Sequence, residues 1–418
     1  MIAATPSDFD VAVIGAGPSG LVAGLACGAL GLRTAIVGPI ANPNDGRSAA
    51  LFQGSVQLLK NLHVWDALKS HVAPLSGIRL VDATDAIFRA PEVTFHAHEI
   101  GLEAFGYAVP NSALTSALEA AVASPVTRIM TPAVTAFDLT GRTAAIETAE
   151  GHKISAQLVA AADGRASPSR AAAGIDCATW SYDQAAVVTT FEHSRPHHAI
   201  STEFHRRTGP LTVVPGPNNT SSLVWVETPD QAQSLAELSE QDFATALQKH
   251  LGGLLGSFMN FSPRRVFPLA GQTAKSLGKN RVALIGEAGH VMPPIGAQGL
   301  NLSLRDAAVL ATLAAAAHSA SEDIGASSLL ARYDAARRAD VTSRIWTIDL
   351  LNRSLLSNVL PVHLLRGAGL VAMRAVGPLR RALMREGVSP DFALPPLMRA
   401  PPETAASEAN CKENYIEA

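Results

Sequence analysis

Three glycines near the start of the chain have the spacing of a dinucleotide-binding turn. In Gly15-Ala-Gly-Pro-Ser-Gly20, the first glycine permits a tight turn, Gly17 lets the backbone approach a pyrophosphate, and the last allows close helix packing. The N-terminus of a following helix offers unpaired N–H groups and positive partial charge. We therefore predict that Gly15, Gly17, Ser19 and Gly20 bind a dinucleotide rather than form a turn without a ligand. The motif alone does not separate FAD from a nicotinamide dinucleotide.

The residues around this turn predict a doubly wound sheet. A strand over 10–14 precedes the glycines, an Ala- and Leu-rich helix follows to residue 30, and a second strand covers 34–37. Short apolar runs at 157–162 and 281–285 end in turn signals and return to the same sheet. The expected fold class is α/β, with a Rossmann-like cofactor domain that is discontinuous in sequence.

One expected feature of such a domain is missing. The acidic residue that usually ends the second strand and holds the adenosine ribose is replaced by Gly38. Either Asn42, Asn44 or Asp45 holds the ribose instead, or affinity for the adenosine half is weaker. Loss of one such contact costs about 1–3 kcal/mol, which pyrophosphate and flavin contacts can outweigh.

Two carboxylates follow later strands. Asp163 comes after the strand at 157–162, and Gly286 with Glu287 comes after the strand at 281–285. Ligands of open α/β sheets lie at this carboxyl edge. The run 293–301 then leads into a helix, whose N-terminus would stabilise the negative charge that a reduced flavin carries near N1.

At this point the sequence resembles the para-hydroxybenzoate-hydroxylase-like FAD-dependent monooxygenases, and within them the ubiquinone-biosynthesis hydroxylases. The resemblance runs nearly end to end. The block from Gly296 to Asp306, Gly-Ala-Gln-Gly-Leu-Asn-Leu-Ser-Leu-Arg-Asp, looks like the quinone-hydroxylase branch. The other segments that carry the resemblance are the first glycine motif, 46–51, Asn111, Asp163 with Gly164, Gly209 with Pro210, 267–269 and 284–306.

The resemblance implies cofactor roles for particular residues. Glu287 stands where the family has an aspartate that contacts the ribityl chain, and its extra methylene shifts the reach of the carboxylate. No catalytic residue is assigned. The implied cofactor-binding residues are Arg47 near the flavin and phosphates, Asn111 near the ribityl chain, Asp163 in the motif for FAD and nicotinamide handling, Gly286 and Glu287, and Gly296, Gly299, Leu300 and Asn301 along the isoalloxazine.

Several of these residues have a simpler interpretation. Arg47 is either a surface cation or a phosphate partner, and we favour the second because guanidinium pairs well with phosphate. Asp163 is equally suited to cap the segment starting at Ser167. A lone histidine beside a glycine turn is more often structural, so His290 is not expected to be a catalytic base. Met292 stands where the quinone branch often has another histidine.

The resemblance also implies a reaction. NAD(P)H reduces FAD, O2 adds at flavin C4a, and one oxygen atom passes to the ring of a phenol, expected to be a prenylated intermediate of ubiquinone biosynthesis. No second glycine motif is found in a strand-helix context, so NAD(P)H is expected to bind transiently. The alternatives are hydroxylation of another aromatic metabolite, an FAD dehydrogenase or reductase that uses no oxygen, and a flavoprotein subunit of a biosynthetic complex without oxygenase activity.

The remaining segments predict a substrate-binding sheet and a helical C-terminus. Strand-like runs at 186–191, 211–214 and 222–226 suggest an antiparallel sheet, and residues 232–257 are predicted to be helical. Helix is predicted again through Ala317 and over 328–351. The expected domains are a discontinuous FAD-binding domain (1–76, 98–184 and 268–340), a substrate-binding sheet domain (77–97 and 185–267), a C-terminal helical region (341–400) and a flexible tail (401–418).

The net charge, the cysteine spacing and the N-terminal residues limit which partners and which cellular location are expected. A net charge of −3 gives no reason to expect nucleic acid as a partner. Cys27, Cys177 and Cys411 lack metal or disulfide spacing, and the N-terminal residues lack a signal pattern, so a cytoplasmic location is expected. Residues 363–387 carry five arginines and one glutamate, so this segment either lies on the inner membrane surface or covers the core with a solvated face. The sequence does not indicate an oligomeric state.

Overall fold

The protein is described by a computed structural model, which covers residues 7–39, 46–84, 91–356, 376–388 and 394–401. The strands of its first sheet are β1 (Ser7–Ile14), β2 (Thr34–Gly38), β8 (Val126–Met130), β9 (Val134–Asp138), β10 (Ala144–Thr148), β11 (Lys153–Ala161), β18 (Gly278–Lys279) and β19 (Val282–Leu284). Their central order is β18-β19-β11-β1-β2-β8, in which the run from β19 to β8 is parallel. β18 pairs with β19, and β10 with β11, in antiparallel fashion.

Helices pack closely on this sheet. In α1 (Pro18–Ala29), every residue from 20 to 28 is buried. A Cβ on Gly24 would lie 2.4 Å from the Ile36 side chain, and one on Gly28 would lie 2.3 Å from Val126, so the glycines allow the helix to approach the strands. The other helices of this half are α4 (Asn111–Ala120), α5 (Pro168–Ala172), α8 (Gln298–Ser319) and α9 (Ser327–Leu356).

The strands of the second sheet are β5 (Gly77–Asp82), β6 (Val93–His96), β12 (Cys177–His193), β13 (Ile200–Arg206), β14 (Gly209–Pro215), β15 (Thr220–Glu227), β16 (Phe258–Met259), β17 (Arg265–Ala274) and β20 (His290–Val291). The sheet is largely antiparallel, with order β20-β17-β12-β15-β14-β13-β5-β6 and one parallel pair, β5 with β13. The predicted helix over 232–257 is two helices, α6 (Pro229–Glu237) and α7 (Glu240–Leu251), because Ser239 caps α7 and Gly252 ends it.

The second sheet has two distinct faces because its side chains alternate. Leu211, Leu223 and Trp225 point to one side and pack with Phe243 and Leu247 of α7. We call the opposite side, which α7 does not cover, the inner face. Its members include Ile78 and Leu80 of β5, Glu203 and His205 of β13, Thr212 of β14, and Ser222 and Val224 of β15.

A three-stranded sheet connects the two larger ones. It pairs β7 with both β3 and β4. The remaining elements are β3 (Ser48–Phe52), β4 (Ala73–Pro74), β7 (Gly106–Pro110), α2 (Gln53–Asn61), α3 (Trp65–Leu68), α10 (Gly377–Val388) and short 3₁₀ turns at Ala97–Ile100, Gly286–Ala288 and Pro396–Met398.

The expected α/β class with an added antiparallel sheet is confirmed. The helix predicted over 328–351 is longer, and α9 continues without a break past residue 341. β12 starts before residue 185 and β17 ends after residue 267, so single strands reach from one proposed domain into the other. Asn42, Asn44, Asp45, Cys411, the tail from 402 and residues 363–375 of the basic segment lie outside the described residues.

Helix α8 is apolar enough to resemble a membrane span. Its 22 residues have a mean hydropathy of 1.3 in the most apolar window, but 67% of that window is buried inside the protein. It packs against α1 and α9. Within the described ranges, α8 is therefore a core helix by its contacts.

Candidate active site

The glycine turn has the geometry that was predicted from its spacing. Gly15 has φ +108°, and a Cβ there would lie 2.2 Å from the carbonyl oxygen of Ala162. A Cβ on Gly20 would lie 1.9 Å from the Gly15 oxygen, so this glycine allows the turn and helix to touch. A Cβ on Gly17 would meet nothing within 4 Å. The turn thus closes tightly on itself and leaves open space in front of Gly17.

The N-terminus of α1 faces that space with its backbone donors unoccupied by side chains. Gly17 is the N-cap residue, no side chain caps the helix, and its first turn carries no acidic residue. Unpaired N–H groups and the helix dipole at such an end bind phosphate. Ser19 lies nearby, 3.5 Å from the position that a Cβ on Gly286 would take. The residues present therefore fit the pyrophosphate of FAD.

The end of β2 explains the missing ribose acid in part. A Cβ at Gly38 would lie 3.0 Å from the backbone nitrogen of Ala16, so this strand end is pressed against the glycine turn. Arg128 of β8 donates to the carbonyls of Gly38 at 3.0 Å and Pro39 at 2.8 Å, and pairs with Glu119. A cation therefore stands beside the position where an acid was expected. Sequence inspection missed it because Arg128 is 90 residues away.

Arg47 and Asn111 are brought together by the pairing of β3 with β7. The Asn111 backbone N–H donates to the Arg47 carbonyl at 2.9 Å. The Arg47 guanidinium is exposed and lies 5.6 Å from the ring centre of Phe267. Next to it, the Ser48 hydroxyl is 2.7 Å from that of Ser222. This corner joins two predicted cofactor residues to the inner face of the second sheet.

Asp163 and Glu287 occupy the carboxyl edge of the first sheet but differ in engagement. The Asp163 carboxylate accepts the Ser167 hydroxyl at 2.5 Å and the Ser169 backbone N–H at 2.9 Å. It therefore caps the start of α5, one of the two roles considered for it. The Glu287 side chain is exposed, and its backbone carbonyl accepts from Gln272 at 3.2 Å.

At the N-terminus of α8, the backbone of two glycines borders open space, whereas the side chain of Asn301 is fully hydrogen-bonded. Gly296 has φ +64°, and a Cβ on either Gly296 or Gly299 would meet nothing within 4 Å. The Asn301 side chain is instead buried. It accepts from the Phe52 N–H at 2.9 Å and the Ser55 hydroxyl at 2.7 Å, and donates to two carbonyls at 2.7 Å. Asn301 therefore holds β3 and α2 against α8, while the backbone at Gly296 and Gly299 borders open space.

A buried ionic network supports the Gly286 turn. Asp306 of α8 accepts from the Gly286 N–H at 3.0 Å, from His290 at 2.6 Å and from Arg337 at 2.7 Å. Arg337 also donates to Asp340 at 2.8 Å. Burial acts to raise the pKa of Asp306, but His290 and Arg337 outweigh it and lower the pKa to about 2. His290 is buried and bonded to Asp306, a pairing across 16 residues that no sequence motif indicates.

The inner face of the second sheet lies opposite the start of α8. Ile78 and Leu80 pack in the same apolar cluster as Phe52 and Ala297. The described elements therefore bring the inner face of the antiparallel sheet and the β3 strand into contact with the start of α8. The Gly286 turn of the first sheet lies against Ser303 of the same helix.

A tight glycine turn open at a helix N-terminus, combined with a separate antiparallel sheet, is the arrangement expected of the flavoprotein monooxygenases. The family described as FAD binding domain matches residues 8–346. The chain belongs to this family, and it is an FAD-dependent aromatic hydroxylase, as the sequence resemblance predicted.

Similar proteins agree with this class. Ubiquinone hydroxylase UbiL of Rhodospirillum rubrum is 34% identical over 91% of this chain and 89% of its own length. The 3-demethoxyubiquinol 3-hydroxylase of Escherichia coli is 29% identical over 82% of this chain and 86% of its own. The crystal structure of p-nitrophenol 4-monooxygenase PnpA from Pseudomonas putida has a TM-score of 0.76 at 16% identity, covering 91% of this chain and 98% of that one, and so shares the fold. The resemblance to the ubiquinone hydroxylases is confirmed.

Proposed function

We propose that this enzyme hydroxylates the ring of a prenylated phenol during ubiquinone biosynthesis, with NAD(P)H and O2 as co-substrates. The observation that carries the proposal is the placement of the inner face opposite the α8 N-terminus, beside the glycine turns. The names of the similar proteins from R. rubrum and E. coli support a quinone-related ring as the substrate. One oxygen atom of O2 enters the ring and the other leaves as water, with two electrons from NAD(P)H.

Different residues of the chain hold different parts of FAD. The α1 N-terminus beyond Gly17 binds the pyrophosphate, Arg47 approaches it from β3, and the α8 backbone at Gly299 faces the ring. When bound, FAD supplies the transfer of electrons from NAD(P)H and the activation of O2. The N-terminal end of α8 stabilises negative charge on the ring system. We also propose Asn111, Glu287 and Gly296 as cofactor contacts, and Asp163 as the residue that fixes the turn beside them.

The chain's own contribution to the chemistry is orientation and exclusion of water. The strands β14 and β15 present Thr212, Ser222 and Val224 to the proposed substrate, so the ring rests on a mixed apolar and hydroxyl surface. Holding the ring in reach of the reacting oxygen lowers the entropic part of the barrier. Within the described chain, no second glycine turn has the geometry of the first, which supports transient binding of NAD(P)H.

We propose a peripheral contact with the inner membrane surface for delivery of a prenylated substrate. Trp346 and Leu350 lie one turn apart on α9 and are 69% and 70% exposed. Leu379 and Leu383 are exposed at the same spacing on α10, beside several arginines. Apolar side chains flanked by cations favour anionic lipid surfaces.

Liposome flotation tests that contact. Replacing both Trp346 and Leu350 with serine should reduce flotation with anionic vesicles and leave FAD content unchanged. Equal flotation of the variant and the wild type would contradict a membrane role for this face of α9.

The substrate proposal is tested by mass spectrometry of lipid extracts from a strain that lacks the gene. The expected result is loss of ubiquinone and accumulation of a prenylated precursor that lacks one ring oxygen, reversed by the wild-type gene. An unchanged quinone pool, with any paralogues also deleted, would contradict the ubiquinone assignment and favour another aromatic substrate.

A further inference from the structure

The buried His205 and the largely buried Glu203 form a titratable pair on the inner face that no cofactor role explains. The Nε2 atom of His205 lies 2.8 Å from Oε1 of Glu203, and their side chains are 6% and 13% exposed. Both residues belong to β13 and are two positions apart, so they share a face of the sheet. A carboxylate with little exposure is costly unless it is paired, and His205 supplies the partner here.

The position of the pair is fixed by strand register. Glu203 lies beside Leu80 of β5 on one side and Thr212 of β14 on the other. Leu80 packs in the cluster that contains Phe52 and Ala297, at the start of α8. Glu203, the acidic residue of β13, therefore lies one strand away from the apolar cluster at the start of α8.

The two oxygens of the Glu203 carboxylate are in different states. His205 takes Oε1, whereas Oε2 has only a long contact of 3.4 Å from the Thr212 hydroxyl. Oε2 therefore keeps capacity to accept a strong hydrogen bond, while His205 orients the group. This arrangement is that of a base and its positioning partner.

We propose that Glu203 contacts the ring hydroxyl of the phenol substrate and accepts its proton during hydroxylation, with His205 as a positioning residue. This assignment rests on the proposed function, and it specifies that the substrate carries a free ring hydroxyl. An aromatic ring attacks an electrophilic oxygen faster as its hydroxyl loses the proton, because the oxygen electron pair moves into the ring.

The proton balance closes within the site. As the ring takes up the oxygen atom that comes from O2, the phenol O–H bond breaks, its electron pair enters the ring, and the proton bonds to Glu203 Oε2. When the ring becomes aromatic again, the displaced ring hydrogen leaves as a proton and Glu203 returns its own proton to the ring oxygen. The electrons are those that NAD(P)H and the flavin supply for the overall reaction.

Two titratable side chains lie near Glu203 in the strand register of the inner face. On its own strand it faces His205, and Asp82 of β5 is the register partner of His205. Its direct neighbours Thr212 and Leu80 carry no titratable group. A change in the pH dependence after substitution of Glu203 is therefore assigned to this carboxylate, with His205 and Asp82 as the groups that couple to it.

The test compares wild type, Glu203→Gln, Glu203→Asp and a matched control, Glu192→Gln, in FAD-loaded enzyme. Glu192 is an exposed carboxylate on β12 of the same sheet, bonded to Asn260. With ortho-geranylphenol as the probe, hydroxylated product and NAD(P)H consumption are measured from pH 6 to 9, together with FAD content and thermal unfolding. The control and wild type should match.

Glu203→Gln should lower product formation at neutral pH by about 10²–10⁴-fold, the usual contribution of a general base. FAD content should be unchanged, and thermal unfolding should stay cooperative although its midpoint falls with the loss of the charged pair to His205. NAD(P)H should be consumed with release of hydrogen peroxide instead of product. Product should rise roughly tenfold per pH unit toward the phenol's own pKa, about 10 for an ordinary phenol. Glu203→Asp should recover part of the activity.

Two results would overturn the assignment alone. One is a Glu203→Gln variant that forms product as fast as wild type, and the other is a slow variant whose pH profile parallels that of wild type. Wild-type enzyme that binds FAD but forms no product from the phenol would instead overturn the proposed function, and the assignment with it.

Discussion

The two large sheets of this enzyme prepare for chemistry in different ways. The parallel sheet offers a ligand its backbone: glycines at 15, 17 and 20, and two helix N-termini with open space before them. The antiparallel sheet offers side chains on its inner face, including hydroxyls and the Glu203 and His205 pair. A cofactor site made of backbone depends on spacing, whereas a substrate site made of side chains depends on which strands become neighbours.

The largest expected effect comes from substituting Asp306, which lies where the two sheets meet. Asp306 binds the Gly286 turn of the first region and His290 of the second. Asp306→Asn should cost about 3–5 kcal/mol, because it removes a charge from a buried ionic network. Urea unfolding measures the loss. Glu322→Gln, which breaks an exposed pair with Arg332, should cost less than about 1 kcal/mol.

The pH dependence of the same variant gives a second measurement. The pKa of Asp306 is lowered from 3.8 to about 2 in the folded protein. Its contribution is therefore present above the unfolded pKa and is lost as the pH falls through the folded pKa. Wild type should lose stability more steeply than Asp306→Asn as the pH falls from about 4 to 2. Parallel curves for the two proteins would contradict the network.

A side chain added at Gly17 tests whether the N-terminus of α1 binds FAD. Gly17→Val should weaken FAD binding by about 10–100-fold, the loss of one or two charge-assisted hydrogen bonds to the pyrophosphate. The fold should survive, because Gly17 has φ −74° and ψ 176°, which any residue adopts. Fluorescence titration with FAD measures the effect. Gly253→Val on an exposed turn is the control, and equal affinity in both variants would remove α1 from the cofactor site.

The adenosine end of the backbone site depends on an added cation. Arg128→Met removes the donors to Gly38 and Pro39 and leaves Glu119 without its partner. We expect a stability loss of about 1–3 kcal/mol, read from urea unfolding. A variant with unchanged stability would mean that water hydrogen-bonds to these carbonyls as favourably as Arg128 does.

Substitution of an inner-face hydroxyl should change the free energy of unfolding only slightly. Ser222→Ala removes a single hydroxyl contact with Ser48 and should cost about 0.5–1.5 kcal/mol. FAD affinity should stay within twofold of wild type, because Ser222 lies on the substrate sheet. A larger loss of FAD affinity than in Gly17→Val would reverse the contrast between the two sheets.

The sequence predicts the glycine turn of the first sheet better than it predicts contacts between residues that are distant in the chain. The turn at 15–20 was predictable because its glycines are close in sequence and each has a steric reason. Arg128 beside Gly38, and Asp306 beside Arg337, were not, since contacts across 90 and 31 residues depend on the folded arrangement. Alternation in β13 places Glu203 and His205 on one face, but only the covering of the other face by α7 shows which face is inner.

The helix boundaries that differed also have local causes. Ser239 and Gly252 divide and end the predicted helix over 232–257, a cap signal and a glycine with φ +57°. The family pattern places Asn301 beside the flavin, and its side chain is hydrogen-bonded to β3 and α2. These hydrogen-bond partners are not indicated by any sequence motif.

The most direct test of the central claim uses isotopically labelled O2. Purified, FAD-loaded enzyme is given NAD(P)H and ortho-geranylphenol under labelled gas, and the product is analysed by mass spectrometry. The account predicts one labelled oxygen atom in the new ring hydroxyl for each NAD(P)H consumed. Product oxygen that derives from water, or NAD(P)H oxidation that never yields a hydroxylated ring, would contradict it.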